Sequence, residues 1–129
     1  SLGGTQGVYT ITVGGTVANG DVIVIDGTTI TLDATSGASA AAAASAIATA
    51  SASASATASS INTPIKCIPN TKVCASAAVL TFTEKSGMYG YGAPEYSIDS
   101  TAGTLTLATT TAGKHTTLAV GTALTLSQQ

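Results

Sequence analysis

Residues 37–60, GASAAAAASAIATASASASATASS, contain a single large side chain, Ile47. Ala38–Ala50 has the highest helix propensity available to a natural sequence, and Thr35 or Ser36 is placed to cap its start. A helix of this length anchored by one isoleucine is marginal alone in water. It must lie on a sheet, and alanine lets it lie close. After Ala50 the pattern changes to strict Ser/Ala alternation, which has the period of a strand. On that reading Ala52, Ala54, Ala56 and Ala58 turn toward the helix, while Ser51, Ser53, Ser55 and Ser59 turn outward. Alanine is a poor strand former, so a loop through about residue 54 is the alternative for this handover. Either way, the rest of the chain has to supply the sheet.

It does so by alternation. In GVYTITVGG, Tyr9, Ile11 and Val13 face one way and Thr10 and Thr12 the other, which is the pattern of a half-buried strand ending at Gly14-Gly15. DVIVIDGTTITLDA follows, with Asp26-Gly27 between two apolar runs. Asp-Gly suits a two-residue hairpin turn, where both central positions have positive φ. That turn pairs Ile25 with Thr28 and Ile23 with Ile30. Ile23, Ile25, Ile30 and Leu32 then share one face, and Val22, Val24, Thr29 and Thr31 the other. AAVLTFTEK predicts a further strand, with Val79, Thr81 and Thr83 opposite Leu80 and Phe82. YSID is extended, GTLTLATTTAGKHTTLAV predicts two Thr-alternating strands around Ala112-Gly113, and ALTLSQQ predicts a last one. The expected class is α+β, mostly β: an antiparallel sheet or sandwich with one Ala-rich helix packed on it. A chain of 129 residues is expected to form a single domain.

Charge narrows the functional classes. Charged residues are 8% of the chain, about a third of the usual share, and the net charge is −2. Repulsion cannot keep such a chain soluble, so a Thr/Ser surface must. Surfaces of that kind suit secreted, virion or assembled structural proteins. All four basic residues are lysines, without the basic footprint or Arg forks that nucleic acid requires. No apolar run approaches the roughly 20 residues that span a bilayer. The chain starts at Ser1 without a basic n-region, so any targeting segment is expected to have been removed or never included.

Cys67 and Cys74 enclose IPNTKV, with Pro69-Asn70 at its centre. This turn chemistry can bring two sulfurs within bonding range. A disulfide-clipped excursion over residues 62–76 is expected, implying an oxidising compartment. The alternative is two reduced thiols in a particle assembled in the cytosol. Without a second Cys/His pair a structural zinc site is not expected.

The order of strand, DG hairpin, Ala-rich helix and a strand ending in TFTEKSG resembles a known family. This small domain recurs in bacteriophage tail and virion proteins, including the Mu-like tail sheath, and in some large secreted bacterial proteins. The matching residues are Gly15-Thr16-Val17, Gly20-Asp21, Asp26-Gly27, Ala38–Ala50 and Leu80–Gly87. The resemblance covers residues 8–98, by order of elements, with residues 100–129 adding C-terminal strands. Two features depart from it. The Cys67–Cys74 insertion is atypical, and Tyr89-Gly90-Tyr91-Gly92 stands where the family has Asn after its last Gly. The resemblance implies a structural or attachment role and carries no catalytic residues across.

The sequence offers little chemistry of its own. His115 is the only histidine, in AGKHTT, and a Ser-His-Asp relay would have to use it with Asp99 or Asp33. No nucleophile-elbow motif accompanies it, and a lone His in a Thr-rich turn reads as a solvated surface residue. Asp21, Asp26 and Asp33 are spread along a hairpin and do not converge as calcium requires. The expectation is no catalytic residues, no metal and no cofactor. GMYGYGAPEY holds three of the four tyrosines and the only Met. Met88, Tyr89, Tyr91 and Tyr96 are the candidate contact residues, a flexible aromatic platform for a neighbouring subunit or, second, a sugar. The other reading is that the rings cap the edge of a core short of aromatics.

These features point to a non-enzymatic structural subunit that assembles with itself or with other virion proteins, first as a phage virion or tail protein. The alternative is a secreted, pilus-like filament subunit, in which a terminal strand carrying Tyr9, Ile11 and Val13, or Leu118 and Val120, completes a neighbour's sheet. A third reading is an adhesin or carbohydrate-binding module using the tyrosine loop on a surface glycan. The expected location is a virion surface or the extracellular space, with no nucleic acid and no membrane span.

Overall fold

The computed structural model describes residues 3–56, 75–84 and 87–115. The sequence expectations for Cys67 and Cys74, for Leu118 and Val120, and for the last strand lie outside these residues. The elements are β1 (Val8–Thr16), β2 (Val22–Ile25), β3 (Thr28–Thr31), α1 (Ala40–Ala56), β4 (Ala75–Ser76), β5 (Val79–Thr83), β6 (Tyr96–Asp99) and β7 (Ala102–Thr111). They form two antiparallel sheets, ordered β4-β5-β1-β7 and β3-β2-β6. The fold is α+β and mostly β, as the alternation predicts.

The hairpin has the expected register, Ile23 opposite Ile30 and Ile25 opposite Thr28. Its turn places Asp26 at φ 46° and Gly27 at φ 85°, the left-handed pair that Asp-Gly provides. The turn is also tied to the entrance of β6: Glu95 N–H donates to Oδ1 of Asp26 at 2.7 Å, and Asp26 N–H donates to the Glu95 carbonyl at 2.9 Å.

One core joins the layers. Tyr9, Ile11 and Val13 of β1, Leu80 and Phe82 of β5, Ile23 and Ile25 of β2 and Ile30 of β3 are buried together. Ala43, Ala44 and Ile47 of α1 close over them, with α1 lying against β1, β3, β4 and β5. Ile47 is fully buried, so the helix is held by the single large side chain it possesses. Buried Asp21 stitches the turn before β2 to the corner between β6 and β7. Its Oδ2 accepts from Ala18 N–H at 2.8 Å and from the Ser100 hydroxyl, whose oxygen in turn accepts Gly103 N–H at 2.8 Å.

Three expectations change. Over the described residues the Ser/Ala segment does not turn to strand after Ala50; the helix continues through Ala56, and the expectations for Ala58 and Ser59 lie outside the described residues. Once the Ala run has nucleated a helix, each further residue adds a hydrogen bond at little cost. Alternating Ser and Ala also lacks the β-branched residues that favour a strand. The cap is Ser39, whose Oγ accepts Ala42 N–H at 3.0 Å. Thr35 and Ser36 instead donate their amides to Oδ1 of Asp33 in a local turn, which holds the Asp33 carboxyl below its usual range, through Ser36 first. Finally, β1 does not stop at Gly14-Gly15 but runs to Thr16, paired along its length with β7.

β1 also loses its proposed role as a donated strand. It lies between β5 and β7, so both of its edges are paired within its own chain, and Tyr9, Ile11 and Val13 face the core. An inner strand has no free hydrogen-bonding edge to offer a neighbour.

Candidate functional site

The tyrosine segment is not a loose platform. It is organised around a carboxylate. The alternation of β5 puts Leu80 and Phe82 inward, and two residues further on the same phase carries Glu84 inward. Glu84 is 0% exposed. A buried charge is tolerated only when its hydrogen-bonding capacity is met, and here backbone amides meet it. Oε1 accepts Gly7 N–H at 2.8 Å and Gly90 N–H at 3.0 Å, while Oε2 accepts Gly92 N–H at 2.9 Å. The backbone of Glu84 is fixed as well. Its N–H donates to the Gly7 carbonyl at 3.0 Å, and its carbonyl accepts from Nε2 of Gln6 at 2.9 Å.

Burial pushes the Glu84 carboxyl up, but the amides of Gly90, Gly92, Gly7 and Tyr91 outweigh it and hold the group below the ordinary glutamate value. Glu84 is therefore an ionised internal anchor.

Glycine makes this geometry possible. Gly90 and Gly92 have φ of 93° and 97°, and this left-handed backbone turns their N–H groups onto one carboxylate. Gly113 packs so tightly on Oε1 that a Cβ there would collide with it. At Gly7 a Cβ would sit 2.5 Å from the same oxygen. Gly113 N–H donates to the Tyr9 hydroxyl at 3.2 Å, which ties the end of β7 to the same corner.

On this anchored loop the predicted contact residues separate. Tyr91 is 65% exposed, whereas Met88 and Tyr89 are half-buried. His115 lies edge-on to Tyr91, with ring centroids 6.4 Å apart and planes at 65°, and its backbone and ring pack on Gly90. Tyr96 is elsewhere. It sits on β6 opposite Ile25, 38% exposed. The site is thus one presented tyrosine with a histidine at its edge, on a loop hydrogen-bonded to Glu84.

Sequence reading missed Glu84, although its signal was present in the i, i+2 phase from Leu80 through Phe82. Asp21, Asp26 and Asp33 serve three separate turns. Among the described residues no group of three or more His, Cys, Asp and Glu is gathered to hold a metal ion, and no helix is long and apolar enough to cross a membrane. A scan against protein-family models finds no match, and a search of curated proteins finds no relative.

Proposed function

We propose that this chain is a non-enzymatic structural subunit or surface domain that assembles with copies of itself, as part of a phage virion or tail. The observation that carries the reading is the presentation of Tyr91 on a loop clamped by buried Glu84. A large amphipathic ring on a backbone anchored before contact loses less freedom on binding than one on an unanchored loop, and tyrosine is enriched at the anchor points of interfaces. The carboxylate beneath it is fully engaged in holding the loop.

Two further features support an assembling subunit. The outer face of the four-stranded sheet carries Val8, Thr10 and Thr12 of β1, Val79, Thr81 and Thr83 of β5, and Thr104, Thr106 and Ala108 of β7, without a charge. Such a face lets copies approach without like-charge repulsion. The virion assignment rests on the element order of strand, Asp-Gly hairpin, Ala-rich helix and strand over residues 8–83.

The test is size-exclusion with light scattering on the full chain and on Tyr91→Ala and Tyr89→Ala/Tyr91→Ala. The expected result is an oligomer whose dissociation constant rises at least about tenfold in the variants, with unchanged circular dichroism. A well-behaved monomer across the accessible concentration range counts against assembly and toward a monomeric adhesin.

A further inference from the structure

Every sheet edge exposes backbone N–H and C=O groups that can recruit another strand, and natural proteins defend such edges with shortness, charge or proline. Among the described residues both edges of the three-stranded sheet are defended in these ways. β3 has four residues and lies between Asp26 and Asp33. β6 also has four, with Pro94 and Glu95 before it and Asp99 at its end.

β7 is different. It runs for ten residues, and from Ser100 to Gly113 there is neither a charged residue nor a proline. One side of β7 pairs with β1, and among the described residues no strand pairs with its other side. The residues themselves are open: Thr104, Thr106, Ala108, Thr109, Thr110 and Thr111 are exposed, and Leu105 and Leu107 are half-buried at the rim of the core.

We propose that β7 is an assembly edge, pairing antiparallel with β7 of a second copy of this chain about a two-fold axis at Thr106. This rests on the self-assembly reading above and adds a second contact between copies, apart from the Tyr91 loop. A two-fold axis perpendicular to the sheet keeps like faces together, so the central residue meets its own copy. Centred on Thr106, the pairing sets Thr106 against Thr106 and Leu105 against the partner's Leu107. Thr–Thr and aliphatic pairs are favourable across antiparallel strands. Leu105 and Leu107, half-buried against the core, would then gain further apolar neighbours across the pair. The absence of charge along β7 also suits a partner identical to itself, since nothing on the strand repels its copy.

The test uses light scattering across a dilution series of the full chain, of Thr106→Lys, of Thr106→Glu, and of the two variants mixed in equal amounts. The expected result is a dimerising wild type, with each variant weakened at least about tenfold by like charges facing each other. The mixture should recover a mixed dimer that high salt weakens again. Circular dichroism establishes that each variant is folded. If both variants dimerise as the wild type does, β7 is not the edge, while self-assembly stands. If both lose association and mixing does not restore it, the two-fold pairing of β7 with itself is overturned in favour of a strand from elsewhere in the neighbour. A wild type that stays monomeric overturns self-assembly and the β7 pairing together.

Discussion

Replacing Glu84 by Ala removes the acceptor for three backbone amides, those of Gly7, Gly90 and Gly92. Hydrogen bonds to a charged partner contribute about 1.5–3 kcal/mol each, and a buried donor left unpaired costs about 1–3 kcal/mol. Simple addition of three bonds overstates the loss, because Gly90 and Gly92 are part of an outer loop that can turn its amides to water. Gly7 cannot, since it is buried against β5. The expected loss is therefore about 3–5 kcal/mol, a large fraction of the roughly 5–15 kcal/mol that keeps a domain folded. Glu84→Gln retains one acceptor oxygen for Gly7 and Gly90 but turns an NH2 toward the Gly92 amide. That donor–donor contact makes it intermediate, at about 2–3 kcal/mol.

The pH dependence separates charge from shape. The Glu84 carboxyl is held below its ordinary value in the folded protein, so the unfolded chain takes up its proton first as pH falls. Its contribution is complete above the unfolded value, near 4.5, and is lost as the solution is acidified through the lower folded value. Urea unfolding followed by circular dichroism, at neutral pH and at steps below 4.5, measures this directly. The gap between wild type and Glu84→Gln should narrow on acidification. Glu84→Ala within about 1 kcal/mol of wild type at neutral pH, or a gap that does not change with pH, would refute the anchoring role.

Other changes have expected outcomes as well. Gly113→Ala drives a methyl into Oε1 of Glu84 and should cost about 1–3 kcal/mol; combined with Glu84→Ala the losses should fall short of additive, as a double-mutant cycle would show. Ile47→Ala removes the one large anchor of α1 and should cost about 2–5 kcal/mol, with helical ellipticity lost ahead of the sheet signal on heating. Ser39→Ala deletes the helix cap and should cost about 1 kcal/mol, whereas alanine at Thr35, outside the helix, should leave helicity unchanged. Tyr91→Ala should leave stability within about 0.5 kcal/mol of wild type in denaturant melts, because its ring is mostly in water.

The site was partly legible in advance. Tyr91 reads as exposed because glycines flank it, and Tyr9, Ile11 and Val13 read as core because they alternate with threonines. Tyr96 was grouped with the loop by its nearness in sequence, yet β6 pairs it with Ile25 in the other sheet. Glu84 lay on the inward phase of β5. What it binds was not readable, since Gly7 is 77 residues away along the chain.

What the sequence determined by itself is whatever a local period or turn can encode. The hairpin register of Ile23 against Ile30, the inward faces of β1 and β5, and a helix within the run Ala38–Ala50 all follow from side-chain alternation and backbone propensity over a few residues. The tertiary structure decided the rest. It carried the helix through Ala56, placed β1 inside its sheet and left β7 at the rim, and closed three glycine amides on one buried carboxylate. Each of these depends on segments that are distant in sequence finding one another. Such pairings are selected by the free energy of burial and hydrogen-bond satisfaction over the whole chain, and they leave no period for a local reading to detect.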